Sequence, residues 1–272
     1  KPTKKPAATA VPKAAATAVP RVDIDPGKPE QIMKQVGLDY LAEAWQRGDL
    51  DAGYIIAWCF EHGSGVEKSE ERAFEWYLAL AQEDYIQAYE WVGDAYQNGH
   101  GVPVSKDQAL PWFKKASEEG YGHSSTMVGS YYYEQGSFEE ALKWYLIAID
   151  QGNDVALGNA ACMYRDGKGT DRDYKKAFTL FKKSAELGNA GSMNDLGILY
   201  FNGSGVSKDV KEAFSWFKKS AEGGNASGMY DLGLCYENGW GVSKNLSTAK
   251  SWYQKAADMG SGQAKERLKK LN

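Results

Sequence analysis

The chain has 272 residues, 43% apolar and 13% aromatic, a balance that can bury a sizeable core and excludes a disordered polymer. Its net charge of -4 hides five basic groups and no acidic one in residues 1–22, so the remainder sums to 27 minus 36, or -9, which argues against nucleic acid as the main partner. No apolar run is long enough to span a membrane, and three cysteines without C-x-x-C or a histidine at metal spacing give no disulfide framework and no metal site.

Residues 1–29 hold six of the eight prolines and two copies of A-T-A-V-P. Proline blocks helix propagation, and Ala, Thr and Lys offer too little apolar surface to offset the entropy of ordering, so an extended tail or linker is expected. The stretch "EQIMKQVGLDYLAEAWQRG" then reads as one lone helix with Tyr40 on its packing face and Gly48 at its close.

From there a repeat sets the architecture. Units start at Leu50, Ile86, Gly122, Asp154, Ala190, Ala226 and Gly262, spaced by 36 residues except for one step of 32. Each unit carries two helical patterns. The first, as in Met193, Leu196, Gly197 and Tyr200, sets apolar or small residues at helical spacing, and a glycine such as Gly203 ends it. The second starts at Ser69, Ser105, Ser137, Asp173, Asp209 or Asn245, all able to accept from first-turn amides. Gln108, Glu140 and Glu212, three residues on, complete capping boxes. A recurrent alanine, followed three residues later by tryptophan in five of the six units, predicts close helix packing. The loop Gly-x-Gly-Val joins the two helices and lacks the ending of a phosphate loop.

The third unit, "YYYEQGSFEEALKWY", lacks the second glycine and the valine, which predicts a tight turn. Pro111, inside a second helix, predicts a bend there. At the end, "GQAKERLKKLN", residues 262–272, reads as a lone first helix with a polar outer face, as a cap requires.

Units of this length carrying "LGILYFNGSGVSKDVKEAFSWFKKSAEGGNA" closely resemble the Sel-one-like repeat family, relatives of the tetratricopeptide repeats, and the resemblance covers residues 30–272. It implies an all-α, right-handed α/α solenoid of about six helix-pair repeats with half-repeats at both ends. It further implies a scaffold or adaptor that brings proteins together, and no particular ligand. The chain departs from the cysteine-rich members, since no unit holds more than one cysteine.

In such solenoids the first helices line the concave wall. The side chains beside their core stripe read as Tyr54, Trp58 and Glu61, then Glu90 and Asp94, Tyr133, Arg165, Asn194, Ile198 and Phe201, and Tyr230, with Trp240 as an edge contact in its glycine loop. Across that face five carboxylates stand against one arginine. An extended peptide with basic and apolar residues suits it, aromatics anchoring and carboxylates orienting. The competing reading is a solvated helix face on which some aromatics pack against neighbouring units.

No catalytic constellation is present: His62, His100 and His123 lie in three different units, and no nucleophile motif occurs. Neither a cofactor nor a metal is expected. The alternative function is glycan or cell-wall binding in a bacterial envelope, since Tyr and Trp faces stack on sugars. A third possibility is that the basic tail occupies the groove. The start at Lys1 and the stalk-like tail favour a secreted or periplasmic location over a cytoplasmic one, while the unpaired cysteines pull the other way.

Overall fold

The computed structural model describes residues 22–271; most of the expected tail, residues 1–21, lies outside them. Among the described residues there are fourteen helices and no strand. The first is α1 (Pro29–Gln46). Six helix pairs follow: α2 (Leu50–His62) with α3 (Glu70–Gln82), α4 (Ile86–Asn98) with α5 (Lys106–Glu118), and α6 (Gly122–Glu134) with α7 (Phe138–Asp150). The last three are α8 (Val155–Asp166) with α9 (Tyr174–Glu186), α10 (Ala190–Asn202) with α11 (Val210–Glu222), and α12 (Ala226–Asn238) with α13 (Leu246–Asp258). A lone α14 (Gly262–Leu271) closes the series. This is an all-α repeat architecture of the solenoid class.

The chain divides into two compact units, with described residues 22–128 and 129–271, and the division falls in the shortened third repeat. In the N-terminal unit Leu41 and Trp45 of α1, Ile55 and Ile56 of α2 and Leu80 of α3 form a core without solvent access. The C-terminal unit holds two such clusters, one around Phe181 and Leu196, the other around Leu232 and Tyr253.

The glycine loops do two things. Their first glycine ends the first helix in the left-handed region, as at Gly203 with φ 74°. Their second lets the loop press onto the preceding repeat: a Cβ at Gly205 would stand 2.2 Å from the Tyr174 carbonyl oxygen, at the start of α9. No other residue fits that approach at φ 72°. The valines of these loops, including Val66, Val102 and Val242, are half-buried against the cores.

Five of the six expected N-caps form, with Ser69, Ser105, Asp173, Asp209 and Asn245 accepting from first-turn amides. Ser137 does not. The turn of residues 135–137 leaves its ψ at 67°, short of the extended backbone that aims the other caps. Its partner in the expected box, Glu140, pairs with Lys143 instead. The tryptophans of the second helices are half-buried from α5 onward, and Lys219 and Lys255 sit 3.9 and 4.1 Å from the Trp216 and Trp252 ring centroids.

Pro111 and Gly37 each put a helix-disfavouring residue inside a helix. Helix α5 runs without a break through Pro111, which is exposed. Helix α1 does break, at Gly37, with φ 76° and ψ 169°. Gly37 stands at the place in sequence where every later second helix has its packing alanine, a Cβ there would meet nothing within 4 Å, and glycine does not resist leaving the helical region. The segment before α1 is tied back: the Val22 amide donates to the Tyr40 hydroxyl at 2.9 Å, and Ile24 packs on the core.

Candidate functional site

First helices pack on their own second helix and on the preceding repeat, as α10 does on α11 and α9, which leaves one narrow strip uncovered. In the N-terminal unit that strip opens into a cleft of about 450 Å³ lined by Glu61, Trp91, Asp94, Asn98, His100, His123 and Met127. Glu61 at the end of α2 accepts from the Tyr77 hydroxyl of α3 at 2.9 Å, which fixes its carboxylate. Asp94 in α4 lies 3.8 Å from His123 Nε2 in α6, and a hydrogen bond to Asp94 raises the His123 pKa above its usual value. Trp91 packs its ring 4.1 Å from that of Tyr77. The cleft thus carries fixed negative charge beside an aromatic surface.

Of the residues that the sequence places on this face, Glu61 and Asp94 line the cleft. Tyr54 is packed between Tyr77 and Tyr85 at 5.8 and 5.6 Å, and burial raises its pKa. Trp58 is half-buried and stacked 4.2 Å from the His62 ring. Glu90 accepts from Ser124 at 2.9 Å, and Asp51 accepts from Tyr85 at 2.7 Å. Glu61, Glu90 and Asp51 are thus held by neighbouring hydroxyls, while Asp94 faces the His123 ring.

In the C-terminal unit the predicted residues are spread along several helices. Tyr133 receives the Lys168 ammonium on its hydroxyl and on its ring face. Arg165 forks between Asp195 and Asp166, each at 2.7 Å. Asn194 is buried and Ile198 half-buried. Phe201 and Trp240, the latter expected as an edge contact, pack on each other with ring centroids 4.8 Å apart. Tyr230 lines a second cleft, of about 420 Å³, with Gly262, Gln263, Glu266, Arg267 and Lys270.

Trp91 and Met127 were missed because they stand one residue past Glu90 and Thr126 in the repeat. A helical side chain leans toward the N-terminus, so a given surface spot is covered by a residue about one position C-terminal to it. In the N-terminal unit the strip therefore takes in Trp91 and Met127 beside the predicted Glu61 and Asp94, while in the C-terminal unit the predicted Tyr230 lines its cleft. Among the described residues no group of three or more His, Cys, Asp or Glu could hold a metal ion, and no helix is long and apolar enough to cross a membrane. Cys59 and Cys235 are buried free thiols whose pKa burial pushes up to about 11 and about 12.

The Sel1 repeat model matches residues 51–85, 86–121, 123–153, 155–189, 190–225 and 226–261. The chain belongs to the Sel1 repeat family. Among solved structures it is similar to a protective antigen of uropathogenic Escherichia coli that displays an SLR fold, with 30% identity and a TM-score of 0.76. That match covers 85% of this chain and 50% of the antigen, so the chain spans half of that relative's length. A Sel1 repeat protein from Oxalobacter formigenes is 26% identical with a TM-score of 0.69, over 86% of this chain and 97% of that one. No curated protein sequence matches the chain. Sel1 repeat proteins are generally scaffolds for protein interaction and typically non-enzymatic.

Proposed function

We propose that this Sel1 repeat chain is a non-catalytic scaffold that holds a protein segment with basic and apolar side chains against the first helices of its N-terminal unit. The observation that carries this reading is the cleft between Glu61, Trp91 and Asp94. Its carboxylates attract and orient a basic segment, and the Trp91 face supplies desolvated contact area. Because the Tyr77 hydroxyl already holds Glu61 in place, that carboxylate loses little side-chain entropy on binding.

The test is affinity capture by the full chain from its source cell's lysate and envelope fraction, against a variant with Asp94→Lys matched in helix content by circular dichroism. The reading expects a protein that the parent retains and the variant loses; equal retention by both contradicts it. Stacking on a neutral glycan, by contrast, is indifferent to salt, whereas this contact weakens between about 0.05 and 0.5 M salt as the Debye length shrinks.

A further inference from the structure

First helices of adjoining repeats meet through residues 30 positions apart, and in the C-terminal unit two of these pairs are salt bridges. Arg165 Nη1 of α8 meets Asp195 Oδ1 of α10 at 2.7 Å. Two repeats on, Arg267 Nε of α14 donates to Glu237 Oε2 of α12 at 2.9 Å, at the same two places with the charges exchanged. Between them stands the pair Phe201 and Asp231. Asp231 takes the place of Asp195, but a phenyl ring takes the place of the arginine. No cation pairs with Asp231 among the described residues.

Its surroundings make this vacancy costly. Burial, with the charge of Asp195 adding to it, pushes the Asp231 carboxyl up to about 6, although a hydrogen bond from Asn194 pulls the other way. Asn194 is only 6% exposed, and its side-chain Oδ1 is buried without a donor. A buried acceptor with no donor and an unpaired carboxylate side by side are each expensive. The remaining neighbours offer no cation: Cys235 is a buried thiol, and Lys208 sits 5.5 Å from the Phe201 ring centroid with no bond to Asp231.

We propose that Asp231 and Asn194 receive an arginine side chain of a bound protein segment, supplying from outside the cation that Arg165 supplies from within to Asp195. The proposal rests on the scaffold reading and adds a second contact, in the C-terminal unit. A guanidinium carries several donors in one plane, so it can serve the carboxylate and the amide oxygen together, which a lysine ammonium does less well. The neighbouring Phe201 and Trp240 rings, half-buried and in contact, offer the apolar surface on which a guanidinium plane stacks.

The probe is N-acetyl-arginine amide, titrated into the isotope-labelled whole protein and followed by NMR, with the uncharged N-acetyl-citrulline amide as its isostere. Saturable shifts are expected at Asn194, Phe201 and Asp231, with citrulline at least about tenfold weaker, the factor expected for a hydrogen bond to a charged group. Asp231→Asn should weaken arginine binding at least about tenfold. Phe201→Arg should fill the place internally, abolish probe binding and lower the titration midpoint of Asp231. Absence of saturable shifts, equal binding of citrulline, or binding retained by either variant overturns the proposal. The probe needs no natural partner, so this result and the Asp94→Lys capture succeed or fail separately.

Discussion

The Tyr77 hydroxyl donates to the Glu61 carboxylate at 2.9 Å, tying the second helix of a repeat to its own first helix. The same bond returns at 2.6 Å between Tyr253 and Glu237. Where the second helix carries Phe113, Phe181 or Phe217 instead, the first helix carries Gln97, Arg165 or Phe201 and no carboxylate. The remaining tyrosine at this place, Tyr145 of α7, faces no carboxylate and has its hydroxyl 3.2 Å from that of Ser130 instead, because a buried hydroxyl needs a partner. Tyr77→Phe is expected to destabilise the fold by about 1 kcal/mol, the net worth of one hydrogen bond. Chemical denaturation of Tyr77→Phe beside the parent chain checks this, and an unchanged midpoint would contradict it.

The loop contact of Gly205 predicts a contrast between two glycines. Gly205→Ala combines φ 72° with a Cβ 2.2 Å from a backbone oxygen, and should cost about 2–4 kcal/mol from strain and overpacking together. Gly260→Ala has φ 91° but open space around it, so only backbone strain is introduced, at a cost of about 1 kcal/mol. Equal midpoints for the two variants would show that the loop does not press on the preceding helix.

The raised pKa of Asp231 predicts the sign of a pH effect. Between its usual 3.8 and about 6 the folded chain holds a proton that the unfolded chain releases, so stability falls as pH rises through that window. Asp231→Asn removes this penalty and should stabilise the protein at pH 7 by about 1–2 kcal/mol, with the gain shrinking toward pH 4. Thermal melts of both proteins across that range measure it. The same exchange should weaken arginine binding, a stability cost kept at a contact site.

His123 behaves in the opposite sense. Its pKa is raised by the hydrogen bond to Asp94, so its contribution is full below the usual histidine value and fades as pH rises through the raised one. His123→Gln is therefore expected to cost about 0.5 kcal/mol near pH 5.5, a partly exposed pair being worth no more, and nothing near pH 8.5. A loss that grows with pH would contradict the Asp94 pairing.

The repeat, the helix pairs and five of the six caps could be read from spacing because those features depend on nearby residues. Gly37 defeated that reading, since a glycine inside a helical pattern is either tolerated or breaks it, and spacing does not say which. Ser137 failed as a cap because the turn before it is too short to reach extended backbone. At the site, Glu61 and Asp94 were readable from their helix face, while Trp91 and Met127 fall one residue to the side, where side-chain lean rather than spacing decides exposure. That Asn194 and Asp231 share a neighbourhood depends on contact between repeats, which no single unit displays.

The central claim is that this chain recognises a basic, partly apolar protein segment, and selection of displayed random peptides on the full chain tests it most directly. The account predicts enrichment of peptides joining Arg or Lys to aromatic or aliphatic residues, with binding that weakens in salt and is lost in Asp94→Lys. Enrichment of acidic peptides, or binding that neither salt nor the charge reversal disturbs, would contradict it.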